Sequence, residues 1–136
     1  METRLQISRS LRERIVAEAK GSRTEICGLL LGDDDTVHDA IACANVHPTP
    51  ATHFEVDPSA LFRALRAARE GGPAVIGYYH SHPTGSTVPS WTDAAAAADD
   101  GAFWLIAAGS ALAAWRAVRD GTVHGRFDPV ALAIAR

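Results

Sequence analysis

Apolar residues recur along the chain with two periods, one typical of helices and one typical of strands. The first helical stretch carries apolar residues four positions apart, at Leu11, Ile15 and Ala19. Ser10 and Glu13 can form a capping box at its start, and Gly21 is placed to end it. The pattern therefore predicts a helix across this segment.

A second helix is predicted from Asp57 to Glu70. Asp57 can cap its first turn, Pro58 has the fixed φ that suits the first helical position, and Gly71 follows the end. The residues expected to face the core are Leu61, Ala64, Leu65 and Ala68. A third, shorter helix is predicted in the alanine run 94–98, because alanine has the highest helix propensity.

Strand patterns occupy much of the remaining sequence. Segments 26–31 and 36–44 predict a strand pair that is joined by a solvated turn at the acidic triplet 33–35. Segment 74–79 is apolar and β-prone, and a Gly-Pro pair precedes it, so it predicts a further strand.

The last third of the chain predicts an antiparallel meander. Segments 103–108 and 111–119 flank Gly109-Ser110, a two-residue connection suited to a tight hairpin. A turn at Asp120-Gly121 then leads into a third strand that ends near Phe127. Segment 130–135 is a short closing element that the pattern does not assign.

Together these elements predict an α/β fold in which a mixed, curved sheet carries helices on its faces. A chain of 136 residues has room for one hydrophobic core and little room for a second. We therefore expect a single domain that spans residues 1–136.

Composition and charge narrow the range of functions. The 13 Lys and Arg against 16 Asp and Glu give a net charge of -3, without the basic excess that nucleic-acid-binding proteins display. The first residues contain no apolar signal-peptide core, and the apolar run 103–115 is too short to cross a bilayer. We therefore expect a cytoplasmic protein that binds neither nucleic acid nor membranes.

The two cysteines, Cys27 and Cys43, lie in apolar segments that resemble strands. In such segments a free thiol behaves as a small buried hydrophobe. Pairing across adjacent strands stays open, but a reduced pair agrees better with a cytoplasmic protein.

The candidate chemistry lies in a His-x-His pair and in a carboxylate that follows a turn. His80 and His82 come directly after segment 74–79, and side chains at i and i+2 share one face of a strand. A turn at 83–86 lets the chain return and bring Asp93 to the two imidazoles. Two histidines and one carboxylate suit a catalytic zinc site, which keeps its fourth position for water.

Each part of this pattern also has a purely structural explanation. Ser90 and Asp93 have the spacing of a capping box for the helix at 94–98, and a His-x-His pair is often just two polar residues that end a strand. The two explanations of Asp93 are compatible, because a helix start also fixes the direction of a carboxylate. The conjunction of three potential ligands favours a metal site.

The same residues resemble the signature of a known family, the JAMM (MPN-plus) zinc metalloproteases and isopeptidases, which include deubiquitinating enzymes. The matching residues are Glu25, His80, His82, Pro83, Ser90 and Asp93. Segment 24–32 also resembles the family's strand that carries the glutamate. The resemblance covers roughly the whole chain and implies the α/β MPN fold, with a sheet like that of cytidine deaminases.

The resemblance implies a role for each of these side chains. His80, His82 and Asp93 would hold one Zn²⁺ ion, and a bound water with a lowered pKa would be the nucleophile. Glu25 would accept the proton of this water and pass it to the leaving amine. Ser90 would donate a hydrogen bond to the oxyanion of the tetrahedral intermediate.

The resemblance also implies a class of substrate. Short connections between the motifs are typical of the family's short prokaryotic members, which act on ubiquitin-like and sulfur-carrier proteins. We therefore expect hydrolysis of the peptide or isopeptide bond after the C-terminal Gly-Gly of such a protein, because a narrow cleft excludes side chains. A non-catalytic MPN-type scaffold that binds partners and a zinc hydrolase of small amides stay open as alternatives, and the oligomeric state is unknown.

Other polar residues have simpler explanations. His47, His53 and Glu55 lie close in sequence and can approach a zinc cleft, but solvent-exposed positions explain them equally well. Arginines at positions 63, 66 and 69 recur along one predicted helix, where an ordinary solvated face explains them.

Overall fold

The computed structural model describes residues 3–135. In chain order its elements are β1 Arg4–Ser8, α1 Arg9–Lys20, β2 Cys27–Asp33, β3 Thr36–Cys43, α2 Pro58–Arg69, β4 Ala74–Ser81, α3 Trp91–Ala96, β5 Phe103–Ala108, β6 Ala111–Gly121 and β7 Gly125–Ala135. Among these described residues, none of the helices is long and apolar enough to cross a membrane. The mixture of strands and helices confirms the predicted α/β class.

The strands form one mixed sheet, which closes into a barrel in the order β1-β3-β2-β4-β5-β6-β7. Parallel pairs join β1 to β3, β1 to β7, and β4 to β5, whereas the other neighbours are antiparallel. β1 closes the ring by pairing with β7, from Arg4 opposite Ala131 to Ser8 opposite Ala135. The prediction of a mixed, curved sheet is therefore confirmed, and the sheet curves so far that its two edges pair with each other.

The sequence pattern did not predict β1 and predicted only the start of β7, and these are the two strands that close the barrel. No strand was predicted before the first helix, and segment 130–135 was left unassigned. In the structure β7 runs on to Ala135, so the expectation of a strand ending near Phe127 was wrong. The pairing with β1 supplies the hydrogen bonds that let β7 continue.

β5 separates two apolar clusters, because successive side chains of a strand face opposite sides of the sheet. Leu105 belongs to a cluster that α1 covers with Leu11 and Ile15. Ile106 belongs to a second cluster, against which Phe54 packs. The candidate site borders this second cluster.

α1 begins earlier than the capping pattern predicted. Its N-cap is Ser8, whose Oγ accepts a hydrogen bond from the backbone N–H of Leu11 at 3.2 Å, and Ser10 lies inside the helix. Because β1 ends at Ser8, the chain leaves the sheet and enters the helix without a loop. The predicted end at Gly21 is confirmed.

α2 has the predicted cap at Asp57 and the predicted proline at its first position, and Glu70 is its C-cap. The expected core face is confirmed in part: Leu61, Ala64 and Ala68 are half-buried, whereas Leu65 is 44% exposed and none of the residues of α2 is fully buried. Among the described elements, only β4 makes extensive contact with α2. The apolar side of α2 is therefore only partly covered.

The turns are placed largely as predicted. The acidic turn joins β2 to β3, and the two-residue turn joins β5 to β6. The next turn lies at 122–124 and not at Asp120-Gly121, because a register shift between Ala117 and Gly121 lets β6 continue to Gly121.

Cys27 and Cys43 lie directly opposite one another on β2 and β3, and both are free thiols in the structure. Burial raises the pKa of Cys27 to about 12, which keeps its thiol protonated.

Candidate metal centre

β4 carries two of the potential ligands to the border of the second apolar cluster. His80 is the penultimate residue of the strand, and His82 follows directly after its end. The backbone N–H of His82 donates to the carbonyl oxygen of Ala107 at 2.9 Å, so the pairing with β5 continues past the strand. The Nε2 atoms of the two imidazoles lie 3.2 Å apart, on one side of the sheet.

The start of α3 supplies the third potential ligand. Ser90 Oγ accepts a hydrogen bond from the backbone N–H of Asp93, and Asp93 Oδ2 accepts one from the backbone N–H of Ser90, both at 3.0 Å. This reciprocal pair is the predicted capping box. It fixes the Asp93 side chain so that the same carboxylate faces both imidazoles.

The three side chains converge in a largely buried place. Asp93 Oδ1 lies 3.1 Å from His80 Nε2, and Asp93 Oδ2 lies 3.0 Å from His82 Nε2. Burial raises the pKa of Asp93, but hydrogen bonds from the two imidazoles outweigh it and hold this pKa below its usual range. Burial also lowers the pKa of His80, which favours the neutral imidazole that a metal ion binds.

Each imidazole is held in a defined orientation. His82 Nδ1 donates to the carbonyl oxygen of Ser86 at 2.6 Å, so a neutral His82 ring that keeps its proton on Nδ1 would turn the lone pair of Nε2 toward a metal ion. The His80 ring stacks on Phe54 with 4.2 Å between centroids and meets Trp104 edge-on at 5.5 Å. Aromatic packing therefore orients His80, whose Nδ1 has no hydrogen-bond partner among the described residues.

This set of donors fits a zinc ion. Two imidazole nitrogens and a carboxylate oxygen are typical zinc ligands, and here they lie within 4.8 Å of one another. Within residues 3–135, no other group of three His, Cys, Asp or Glu side chains converges in this way. His47 and His53 instead stack on one another, with 4.6 Å between ring centroids.

Glu25 lies in the irregular segment just before β2. In the antiparallel pair of β2 and β4, Cys27 is opposite His80, so extending the register by two residues brings Glu25 toward His82. The Glu25 side chain is buried, and its Oε1 has no hydrogen-bond partner among the described residues. Burial raises the pKa of Glu25 to about 7, although attraction to His82 opposes this shift.

Glu25, His82 and Ser90 line one cleft with a volume of about 400 Å³. Loop 83–90 forms much of its surface, and Ala51 and Thr52 also line it. No sequence signal indicated Ala51 or Thr52, because neither side chain is a usual metal ligand or ionisable group and residues 45–56 show no periodic pattern. The structure therefore brings the predicted base, ligands and hydroxyl to one place.

Comparisons with known proteins agree with this geometry. The family model described as prokaryotic homologs of the JAB domain matches residues 8–119. A desampylase from Haloferax volcanii is 35% identical over 111 residues, which cover 76% of this chain and 80% of that protein. A probable TtuB-protein conjugate cleaving protease from Thermus thermophilus is 44% identical over 57 residues, which cover 42% of this chain and 38% of that protein.

The fold has a counterpart among solved structures. A JAB1/MPN domain protein from Archaeoglobus fulgidus superimposes with a TM-score of 0.60, covering 95% of this chain and 97% of that one. Its sequence is 21% identical to this chain, so the similarity concerns the fold.

Proposed function

Because the chain belongs to the family of prokaryotic JAB-domain homologs, we propose that it is a zinc-dependent metalloprotease of the JAMM type. Its reaction is hydrolysis of the peptide or isopeptide bond after the C-terminal Gly-Gly of a ubiquitin-like or sulfur-carrier protein. The observation that carries this proposal is the convergence of two imidazoles and a carboxylate beside a buried glutamate. The desampylase and the TtuB-conjugate protease among its relatives support the substrate class.

The metal ligands in this proposal are His80, His82 and Asp93. When bound, zinc supplies a Lewis acid that polarises the scissile carbonyl and lowers the pKa of a water molecule. The capping box and the bond from His82 to Ser86 hold the ligands in place before the ion binds. A site that is organised in advance needs little rearrangement on binding.

Glu25 moves the proton in the proposed mechanism. Its carboxylate accepts a proton from the attacking water, and the resulting carboxylic acid gives this proton to the nitrogen of the leaving amine. Glu25 thus returns to its starting charge at the end of each turnover. Burial that brings its pKa to about 7 suits both steps, because neither protonation state is strongly disfavoured at neutral pH.

Ser90 stabilises negative charge in the proposed mechanism. Its Oγ accepts the capping bond from Asp93, so its hydroxyl proton is free to point into the cleft. The hydroxyl donates to the carbonyl oxygen as that oxygen gains charge. This contact accelerates the reaction only to the extent that it strengthens in the transition state.

The cleft suits an extended tail without side chains. Its lining includes small residues such as Ala51 and Gly85, and a Cβ added at Gly85 would lie 3.0 Å from the Cβ of His82. The loop backbone therefore already lies close to a proposed ligand. A glycine in the substrate adds no side chain that must fit beside this loop.

The direct test uses sulfur-carrier or ubiquitin-like proteins that carry extra residues after their Gly-Gly. Zinc-loaded protein should release the extension, and mass spectrometry should place the cut directly after the second glycine. A matched fusion in which Ala-Ala replaces Gly-Gly should resist cleavage. If every Gly-Gly fusion, linear or joined to a lysine side chain, stays intact, the proposed function is wrong.

The other expectations from the sequence belong to the same proposal. They are a cytoplasmic location, a single domain over residues 1–136, no nucleic-acid or membrane partner, and a sheet related to that of cytidine deaminases. Each stays a prediction.

A further inference from the structure

The backbone at Glu25 is held by contacts from segments that are distant in sequence. The N–H of Glu25 donates to Pro50 O at 2.8 Å, and Asn45 Nδ2 donates to Glu25 O at 2.9 Å. The next amide, Ile26 N–H, donates to Ser81 Oγ at 2.9 Å. Because β2 begins only at the following residue, these contacts fix the peptide from which the Glu25 carboxylate projects.

Asn45 lies at the centre of this arrangement. Its Nδ2 donates to the carbonyl oxygens of Glu25 and His53 at 2.9 Å, and its Oδ1 accepts from the backbone N–H groups of His47 and Glu55 at 3.1 Å. These four bonds use both donors and both acceptor positions of the amide. Neither a carboxylate nor a hydroxyl of similar size can replace them all.

The same side chain connects the glutamate to the substrate cleft. Ala51 and Thr52 line the cleft, and they lie in the segment between the residues that Asn45 holds at His47 and His53. Pro50, which accepts the bond from Glu25, lies in this segment too. Asn45 therefore ties the candidate base and part of the cleft lining into one unit.

We propose that Asn45 is a positioning residue, which acts through Glu25 and, together with Ser81, holds the base in place for proton transfer. Asn45 touches no reacting atom. The catalytic part of this inference rests on the proposed proteolytic function, whereas the hold on the Glu25 peptide does not.

The rate consequence follows from the geometry of proton transfer. A misplacement of about 1 Å at a reacting group can lower a rate by about 10²-fold. Loosening the Glu25 peptide moves the base and leaves the three proposed metal ligands in place, since these belong to β4, its following residues and α3. The loss should therefore fall mainly on kcat.

The first variant is Asn45→Asp, which keeps the shape and one acceptor oxygen but turns a carboxylate oxygen toward two carbonyl oxygens. We expect kcat to fall by at least about 10-fold, KM to rise by a smaller factor because Ala51 and Thr52 line the cleft, and zinc content to stay the same. Val46→Ala is the matched control, because this neighbouring side chain is 45% exposed, and it should keep the wild-type kcat. A wild-type kcat in Asn45→Asp would overturn the proposal.

Amide hydrogen exchange tests the hold on the peptide without any substrate. In Asn45→Asp the amides of Glu25 and Ile26 should exchange at least about 10-fold faster, while amides in the central strand β5 keep their protection. Unchanged exchange at both amides would contradict the proposal. If wild-type protein cleaves no fusion, the proposed function fails, and the exchange result still decides whether Asn45 holds Glu25.

Ser81→Ala provides a second variant in case Asn45→Asp fails to fold. It removes the acceptor for the Ile26 amide and leaves the four bonds of Asn45 intact. We expect faster exchange at Ile26 and a lower kcat at unchanged zinc content. Wild-type values for both quantities would remove Ser81 from the proposal, and with Asn45→Asp unfolded they would overturn it.

Discussion

At Ser90 and Asp93, structural and chemical roles coincide in the same atoms. The capping box uses Ser90 Oγ and Asp93 Oδ2 as acceptors, while the serine proton and Asp93 Oδ1 are directed elsewhere. The sequence pattern allowed either a helix cap or a site residue, and the structure accommodates both at once. A substitution at either residue therefore mixes stability with chemistry, and variants must separate the two.

Ser90 offers such a separation. Ser90→Ala should lower kcat by about 10²-fold or more, because a hydrogen-bond donor to the oxyanion is lost. It should also lower the melting temperature, because losing an N-cap costs about 1 kcal/mol. Ser90→Asp restores an acceptor for the Asp93 amide but no hydroxyl donor. We expect it to recover the melting temperature and not kcat; recovery of both would show that Ser90 does not act as a donor.

Glu25→Gln tests the proposed base with almost no change in shape. The amide cannot accept a proton from water, so kcat should fall by about 10²- to 10⁴-fold. Zinc content should stay the same, because Glu25 is outside the group of converging ligands. Initial rates and elemental analysis of the same preparation provide both quantities. Wild-type turnover in this variant would exclude Glu25 as the base.

At the scale of elements, the sequence predicted those features that depend on residues close together in the chain, such as strand faces and helix caps. The His-x-His spacing placed His80 and His82 on one side of β4, and the capping pattern placed Asp93 at the start of α3. The exposed Leu65 shows the limit, because helical spacing defines an apolar face but not the element that covers it. The segment around Asn45 lacks regular structure, so periodicity gave no signal for its contacts.

A hydrogen bond between α1 and β4 leads to a prediction about pH. Tyr79 donates to Glu18 Oε1 at 3.1 Å. Burial raises the pKa of Glu18 above its ordinary value of 4.5, although the bond from Tyr79 and the charge of Arg14 oppose the shift. A raised pKa in the folded state favours folding below about pH 4.5, and this contribution is lost as pH rises through the raised value.

Glu18→Gln keeps an acceptor for Tyr79 and removes the ionisation. Its melting temperature relative to the wild type should therefore rise as the pH increases from about 4.5 through the raised pKa of Glu18. Thermal unfolding followed by circular dichroism across this range provides the comparison. If the melting temperatures of the two proteins change in parallel with pH, the pKa of Glu18 is not raised by folding.

At the scale of the whole molecule, topology brings the site together. Glu25 and His82 are far apart in sequence, and the antiparallel pairing of β2 with β4 makes them neighbours. The parallel pairing of β1 with β7 likewise makes neighbours of the two ends of the described chain. Local spacing contains no information about which distant strands pair, so only the resemblance to a family singled out Glu25.

Because the proposed ligands come from β4 and α3, metal binding should be coupled to the stability of the whole fold. An ion that binds only the folded state stabilises it by about 2.7 kcal/mol at a free concentration of 100 times its Kd. Removing zinc with a chelator should lower the melting temperature by several degrees, and adding zinc should restore it.

Two variants locate the proposed zinc site. Asp93→Asn keeps a capping oxygen but loses the charged ligand, so its response to zinc should be much smaller. Asp99→Asn, at an exposed carboxylate near the end of the same segment, should respond like the wild type. An identical response in all three proteins would place the zinc elsewhere, and no response in the wild type would exclude a zinc site of this strength.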